Sequence, residues 1–311
     1  MKNKAIIIRT IVLVIASILL MIELDYARIN IRYFITKNEY EETFAIQGTK
    51  DGYAPQGMTL INEKDIVLQT AYSKGKTSKL FVIDFKTGKL KKELKIVLSN
   101  GEESEKHVGG IASDGKTVWI TNDFEISSFK LSDILKAKDE IKSFKDDKIP
   151  SRGDFCYYKD DTLWIGDFFL KPFYPIANDD PLLYAYDVFY NIDFDNPKLV
   201  ISLPIMVQGM AIEEHNEFIF TSSFTNLVNS ELLLYENVLE EEPDYYEING
   251  IQVPHYSFTK NNLSRSKKIP PMAEGIFYDN GYVYILFENS SNKYFYADPK
   301  IRNVLKYKLR K

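Results

Sequence analysis

The feature that most constrains the fold of this chain is a segment that recurs five times between residues 56 and 289. Each copy has a glycine, an apolar strand, a polar turn typical of β-hairpins, and a second, more apolar strand. The copies read QGMTLINEKDIVLQTAY, GGIASDGKTVWITND, RGDFCYYKDDTLWIGDF, QGMAIEEHNEFIFTSSF and EGIFYDNGYVYILFEN. Their glycines are Gly57, Gly110, Gly153, Gly209 and Gly275, at intervals of 53, 43, 56 and 66 residues. Such spacing indicates a repeat architecture in which each unit packs against its neighbours.

Further strands complete most of the units. We predict third strands at Leu80–Phe85, Ile126–Leu131, Leu182–Asp187, Leu232–Tyr235 and Val304–Leu309, and fourth strands at Leu90–Val97, Ile141–Phe144, Leu199–Leu203 and Val253–Phe258. Residues 131–145 predict at most a short surface helix with Ser132 as its N-cap. Units of four strands at these intervals are typical of β-propeller blades.

The fifth unit reaches Lys311 without a fourth strand, while the strand Glu42–Gln47 precedes the first unit without a partner. An N-terminal strand that completes the last blade closes the ring of a propeller and removes its exposed edges. We therefore predict an all-β fold, a β-propeller of five four-stranded blades over residues 42–311. Six blades are the alternative, because the interval before Gly275 is long; we interpret its segment Glu240–Lys268 as a polar, irregular loop.

The first 25 residues predict a segment that crosses a membrane. An apolar run from Ala5 to Ile22, interrupted only by Arg9, is long enough to span a bilayer. Basic residues before this run favour a cytoplasmic N-terminus and an extracytoplasmic remainder. Asp25-Tyr26-Ala27 fits a signal-peptidase site poorly. We expect a signal anchor at 1–25, a leader at 26–41 and a single-pass protein of the cell membrane, with a cleaved signal and secretion, or a buried helix, as the alternatives.

Composition excludes several other classes of protein. The chain is 45% hydrophobic and 14% aromatic, which excludes intrinsic disorder. Its net charge is −5, and residues 30–311 sum to −7, so it lacks the basic density that nucleic-acid binding requires. Cys156 is the only cysteine, so neither an internal disulfide nor a cysteine-based zinc site can form.

Polar residues precede the repeated glycines and predict a ring at one mouth of the central channel. These candidates are Gln56, Arg152, Gln208 and Glu274, with His107 two residues before the Gly109 of the second unit. Their mixed charges suit a polar or anionic small molecule better than a metal ion, because calcium prefers several oxygen ligands and Arg152 opposes a cation. Hydrogen bonds between neighbouring blades are the alternative role for these side chains.

Two more sets of residues are weaker candidates. Polar residues end the second strands, and we expect them at the opposite rim: Thr70, Asn122 or Asp123, Asp167, Ser222 or Ser223, and Glu288 or Asn289. Aromatic residues near Pro172–Pro175 predict an apolar lip that faces a glycan or a protein partner, or packs under that loop: Phe168, Phe169, Phe173 and Tyr174.

The segments VQGMAI, TLWIGDF and AEGIFY…YILFENSS resemble those of secreted, extracytoplasmic β-propeller proteins of Gram-positive bacteria, over residues 53–296. This resemblance implies the propeller fold and a place outside the cytoplasm, but that group has no settled activity. More distantly, the Glu-Gly opening at Glu274 is similar to a blade opening of gluconolactonase and strictosidine-synthase-like propellers. The likeness implies a role for Glu274 as a ligand of a central calcium ion.

The sequence thus favours a membrane-anchored, extracytoplasmic propeller that binds a ligand or a protein. No nucleophile elbow, Walker loop or HExxH helix is present in the sequence. The alternative is a hydrolase of the lactonase or phosphoesterase kind with its site at the channel mouth, using Glu274 and His107, with or without a calcium ion. The fold does not decide between them, because propellers carry many unrelated activities.

Overall fold

The computed structural model describes residues 2–171, 181–189 and 191–309, and these form a long N-terminal helix followed by five β-sheets. The sheets are the blades of a five-bladed β-propeller, so the predicted fold class is confirmed. The helix α1 (Lys2–Ile35) contains the one described segment that is long and apolar enough to cross a membrane.

Each blade is built mainly from consecutive strands of the chain. After β1 (Tyr40–Ala45), blade 1 contains β2 (Ala54–Ile61), β3 (Ile66–Ser73), β4 (Lys76–Asp84) and β5 (Leu90–Val97). Blade 2 and its connections contain β6 (Val108–Ser113), β7 (Thr117–Asn122), β8 (Glu125–Lys130), α2 (Leu131–Lys136), β9 (Glu140–Lys142) and β10 (Lys145–Lys148). Blade 3 contains β11 (Phe155–Lys159), β12 (Thr162–Gly166), β13 (Leu182–Asp187) and β14 (Leu199–Ser202).

The remaining two blades complete the ring. Blade 4 and its insertion contain β15 (Val207–Ile212), β16 (Phe218–Ser222), β17 (Ser230–Tyr235), β18 (Asp244–Ile248), β19 (Ile251–Ser257) and β20 (Leu263–Ile269). Blade 5 contains β21 (Ala273–Asp279), β22 (Tyr282–Phe287) and β23 (Asn303–Lys308), and its outermost strand is β1, antiparallel to β23. The predicted closure of the ring by an N-terminal strand is therefore confirmed.

Two of the predicted fourth strands were assigned to the wrong blade, for the same reason. The segment around Ile141 forms β9, which pairs in parallel with β5 of blade 1, and β10 is the fourth strand of blade 2. The segment around Val253 forms β19, which pairs in parallel with β14 of blade 3, and β20 is the fourth strand of blade 4. In both cases the connection before the fourth strand first covers the outer edge of the preceding blade, which leaves less of that edge unpaired.

The segment that we interpreted as an irregular loop is therefore mostly strand. Residues 244–257 form the hairpin β18–β19, and β20 follows it. The short helix α2 is present, but its N-cap is Lys130 rather than Ser132.

Apolar residues of facing sheets fill the spaces between the blades. Val67 and Phe81 of blade 1, for example, belong to the same buried cluster as Phe287 of blade 5. Burial of such side chains contributes about 1.5–3 kcal/mol each, so these inter-blade layers supply most of the stabilisation.

Four of the five repeated glycines, all but Gly153, allow the innermost strands of neighbouring blades to touch. A Cβ atom on Gly110 would lie 2.3 Å from the backbone nitrogen of Cys156 in blade 3, and one on Gly275 would lie 2.7 Å from the carbonyl oxygen of Gln56 in blade 1. Any larger residue would collide with the backbone there, which explains why the sequence repeats glycine at this point.

The strand order defines the two ends of the propeller. First strands begin, and second strands finish, at one end, which we call the mouth; the hairpins between first and second strands lie at the other, the hairpin end. Helix α1 contacts the mouth side of blades 4 and 5, where Tyr26 Oη donates to the carbonyl of Tyr296 (2.8 Å) and Asn30 Nδ2 donates to Asp298 (2.9 Å).

Candidate functional site

The residue before the repeated glycine sits on a β-bulge in four of the five blades. The pairing of the first two strands slips by one residue at Gln56, Gly109, Gln208 and Glu274. A bulge leaves the extra residue outside the regular ladder and redirects its side chain. Gln56 and Glu274 are buried, with 3% and 4% of their surface exposed, while Gln208 is partly buried.

In blade 3 the structure places Asp154, not Arg152, at this position. Phe155 pairs with Gly166 of the second strand, just as Gly110 pairs with Thr121 in blade 2. A Cβ atom on Gly110 would lie 2.3 Å from the backbone nitrogen of Cys156, just as one on Gly57 would lie 2.9 Å from that of Ile111, so Phe155 and Cys156 correspond to Gly110 and Ile111. Gly153 instead occupies a turn with φ +70°. The signal that would have revealed this register is the shared Trp-Ile pair, which aligns Gly166 with Thr121.

The polar residues that end the second strands lie at the mouth too, not at the opposite rim as expected. First and second strands are antiparallel, so the start of one is beside the end of the other. The side chain of Glu288, which follows β22, lies beside those of Glu274 and Gln56. Asp167, which follows β12, accepts hydrogen bonds from Ser151 Oγ (2.8 Å) and from the backbone N–H of Arg152 (2.7 Å).

Glu274 and Glu288 form a pair of carboxyl groups at the centre of the mouth. Burial raises the pKa of Glu274 well above its usual range, and the neighbouring carboxyl of Glu288 raises it further. Burial also raises the pKa of Glu288, although the Tyr294 hydroxyl, which donates to it, and Lys293 oppose this shift. Two neighbouring carboxyl groups favour one shared proton over two negative charges, because adjacent negative charges repel each other.

A second acidic group lies beside this pair. Burial raises the pKa of Asp154 to about 7. The Arg152 guanidinium, whose Nε lies 3.3 Å from Oδ1 of Asp154, opposes this shift. Its carboxylate also accepts a hydrogen bond from the backbone N–H of Phe168 at 2.8 Å. Burial likewise raises the pKa of Asp167. The mouth is therefore a poorly hydrated region in which several carboxyl groups resist ionisation.

His107 lies at the mouth but next to Tyr72. Its ring packs edge-on against the Tyr72 ring, with centroids 4.4 Å apart. Burial, together with Arg152 and Lys293, lowers the pKa of His107 to about 4, so its ring is neutral at physiological pH. Among the described residues no hydrogen bond joins His107 to Glu274, the partner that the hydrolase hypothesis requires.

Sequence reasoning missed three residues at the mouth: Lys293, which supplies an ammonium group, and Tyr72 and Tyr294, which contact it. Lys293 Nζ donates to the Tyr72 hydroxyl (2.7 Å) and lies 4.6 Å from the Tyr72 ring centroid and 5.0 Å from that of Tyr294. This is the geometry of a cation–π contact. Lys293 and Tyr294 lie in the β22–β23 connection, outside the repeated segments, so the repeat contains no signal for them.

Threonines of the second strands, rather than the ring residues, tie neighbouring blades together. Thr70 Oγ1 accepts from the N–H of Gly57 (2.9 Å) and donates to the carbonyl of Val108 in blade 2 (2.9 Å). Thr221 Oγ1 donates to the carbonyl of Glu274 in blade 5 (2.8 Å). For Gln56, the side-chain amide donates to its own neighbour Pro55 (2.9 Å), a contact within one blade.

The mouth does not fit a calcium ion as it stands. Carboxylate and amide oxygens are suitable ligands, but among the described residues no three acidic or imidazole groups of the mouth lie within ligating distance of one another. Within the described ranges, the cluster of carboxylates and imidazole that meets the geometry of a metal site is Glu213, Glu214 and His215, at an exposed turn of the hairpin end. The predicted apolar lip falls partly outside the described residues, at Phe173 and Tyr174, while Phe168 and Phe169 are buried.

Comparisons with known proteins find likeness in fold only. No family profile and no curated protein matches the chain. Among solved structures, glutaminyl cyclase of Myxococcus xanthus has a TM-score of 0.49 at 8% identity, over 86% of this chain and 94% of that one. The PQQ-bound aldose sugar dehydrogenase of Streptomyces coelicolor has a TM-score of 0.48 at 11% identity, over 86% and 96%. Neither these enzymes' activities nor their cofactors transfer to this chain at such distances.

Proposed function

We propose that this protein is a membrane-anchored, extracytoplasmic binding module whose mouth receives a small polar molecule carrying a positively charged amino group. The observation that carries the proposal is the buried Glu274 carboxyl beside the partly buried carboxyl of Glu288 and the amide of Gln56. A cationic group that replaces the shared proton removes the repulsion between the two carboxylates and gains charge-assisted hydrogen bonds.

This proposal changes the sequence-based expectation of a polar or anionic ligand. That expectation counted Arg152 in the ring, whereas Asp154 takes its place and engages the Arg152 guanidinium. Anchoring is supported by α1, which continues without a break through Asp25–Ala27, where a cleaved signal peptide would end.

The test is calorimetric titration of the full-length protein in nanodiscs with glucosamine and, as the matched neutral sugar, N-acetylglucosamine; spermidine serves as a second cationic probe. We expect the cationic probes to bind with release of a proton, seen as a dependence of the binding enthalpy on the buffer. Glu274→Gln should weaken binding at least about tenfold, since a hydrogen bond to a charged group contributes ~1.5–3 kcal/mol.

Glu63→Gln, at an exposed turn of the hairpin end, is the matched control and should leave binding unchanged. Equal binding of glucosamine and N-acetylglucosamine, or cationic binding that survives Glu274→Gln, would contradict the proposal.

A hydrolase is the second candidate, and one observation favours it. A carboxyl pair that shares a proton contains both an acid and a base, and the pKa of Asp154 near 7 suits proton transfer at neutral pH. Turnover of a lactone, phosphoester or glycoside by the full-length protein, lost in Glu274→Gln and kept in Glu63→Gln, would favour this reading over simple binding.

A further inference from the structure

Helix α1 leaves the propeller from the mouth side. Its residues Tyr26 and Asn30 contact loops at the mouth end of blades 4 and 5, and Tyr33 stacks on Tyr40, with ring centroids 5.7 Å apart. Tyr40 pairs with Tyr307, near the hairpin end of blade 5. The helix therefore runs along the side of the ring, and its apolar N-terminal part continues beyond the mouth.

The spacing along α1 places the mouth close to the membrane surface. Between Ile22, the last residue of the apolar run, and Tyr26 the helix rises only about 6 Å. The headgroup region on each side of the hydrocarbon core is roughly 5–8 Å thick. If residues 5–22 fill the core, Tyr26 and the loops that it contacts are at the level of the headgroups.

The mouth-side loops of blade 4 are apolar and uncharged, whereas the β22–β23 connection of blade 5, which contains Phe295 and Tyr296, also contains charged residues such as Lys293 and Asp298. All three mouth-side connections that border blade 4 lack charged residues: 203–206 (LPIM), 223–229 (SFTNLVN) and 270–272 (PPM). The connections at the hairpin end of the same blade, 213–217 and 236–243, contain seven glutamates. Aqueous surroundings explain the acidic end, whereas a bilayer surface explains the uncharged one.

Exposed apolar side chains project from the mouth-side loops of blades 4 and 5. We call them the apolar rim: Ile205, Phe224, Val228, Phe295 and Tyr296. Phe295 is 85% exposed and Val228 59% exposed. The hairpin end also exposes aromatic residues, such as Phe189 (72%), so exposure alone does not distinguish the two ends; the position of α1 does.

We propose that the apolar rim rests in the interfacial layer of the bilayer that α1 spans, so that the mouth opens toward the membrane surface. This inference rests on the proposed anchoring by α1 but not on the identity of the ligand. Aromatic and aliphatic side chains partition favourably into this layer, because burial there removes their apolar surface from water.

The test uses variants of the full-length protein with one introduced cysteine each, which carries a nitroxide label, in phosphatidylcholine nanodiscs. Cys156 is the only natural cysteine and is buried, so labels attach at the introduced positions. The rim variants are Val228→Cys and Phe295→Cys; Phe189→Cys is the matched control at the hairpin end, and Leu13→Cys reports on the membrane segment. The readout is collision of the label with oxygen, which concentrates in lipid, and with a water-soluble nickel chelate.

We expect both rim labels to gain collisions with oxygen and lose collisions with the nickel chelate relative to the Phe189 label. A rim label as accessible to nickel as the Phe189 label, with the Leu13 label in lipid, would overturn the inference and leave the anchor standing. A Leu13 label exposed to nickel would overturn both. Ligand binding is measured separately by the titration above, so its failure is distinguishable from either result.

Discussion

At the scale of single residues, the carboxyl group of Asp154 couples the mouth to pH. Its pKa of about 7 in the folded protein lies above the value of about 3.9 expected in the unfolded chain. Between these two values the folded protein retains a proton that the unfolded chain releases. The contribution of the protonated carboxyl to stability is therefore complete below pH 4 and is lost as the pH rises through 7.

Asp154→Asn removes this titration while keeping an oxygen that can accept from the N–H of Phe168. We expect the free energy of unfolding of the variant to exceed that of the wild type by up to about 4 kcal/mol at pH 8 and to equal it near pH 4, since a difference of about three pKa units corresponds to ~1.4 kcal/mol per unit. Denaturant unfolding at both pH values, followed by tryptophan fluorescence, measures the difference. A stability difference that does not change with pH would show that Asp154 does not hold its proton in this way.

Only part of the mouth was predictable at this scale. Gln56, Gln208 and Glu274 precede glycines that occupy the same register, so the repeat alone locates them. In blade 3, Phe155 stands on the first strand where the other blades have glycine, and its partner on the second strand is Gly166. An alignment based on first-strand glycines therefore misses Asp154. Lys293 and Tyr294 reach the mouth from a loop whose path the repeat does not encode.

At the scale of the strands, the contact between innermost strands limits what the repeated positions accept. Gly110→Ala would push a methyl group into the backbone of Cys156 and Phe155, and backbone cannot move aside as a flexible side chain can. We expect a loss of at least about 3 kcal/mol in the free energy of unfolding, at the upper end for overpacked sites.

The control for this prediction is Gly281→Ala, where an added Cβ meets no atom within 4 Å. Its backbone is left-handed, with φ +82°, so the expected cost is only about 1–2 kcal/mol. Denaturant unfolding of both variants gives the comparison. Equal losses would show that the neighbouring blade accommodates the added methyl group, so that contact between blades does not dictate glycine at position 110.

The order of strands was predictable where each strand pairs with the next one along the chain. Predicted and observed bounds agree for β5 and β13, because a hairpin-connected strand needs only local alternation and turn chemistry. The apolar segments around Ile141 and Val253 carry the same local pattern, yet they pair in parallel with the preceding blade. Their sequence predicts strand, but the choice of partner is set by which sheet edge is open in the folded ring.

At the scale of the whole molecule, the ring is closed by the pairing of β1 with β23, the first and last strands along the sequence. Ala45 pairs with Asn303, 258 positions along the chain, and neither residue is fully buried. Directly paired residues of antiparallel strands have Cα atoms about 4.5–5.5 Å apart, which suits a disulfide. The β1–β23 pairing, which we call the seam, can therefore be crosslinked without changing the core.

We expect the double variant Ala45→Cys/Asn303→Cys, once oxidised, to be more stable than its reduced form by up to roughly 4–5 kcal/mol, because a crosslink across so long a loop restricts the unfolded chain. Thermal unfolding with and without reductant measures this, and the wild type, whose single Cys156 is buried, is the control. If unfolding begins by opening the seam, the oxidised variant should also unfold more slowly. Identical unfolding rates in the two forms would place the first step of unfolding elsewhere in the ring, with β1 and β23 still paired.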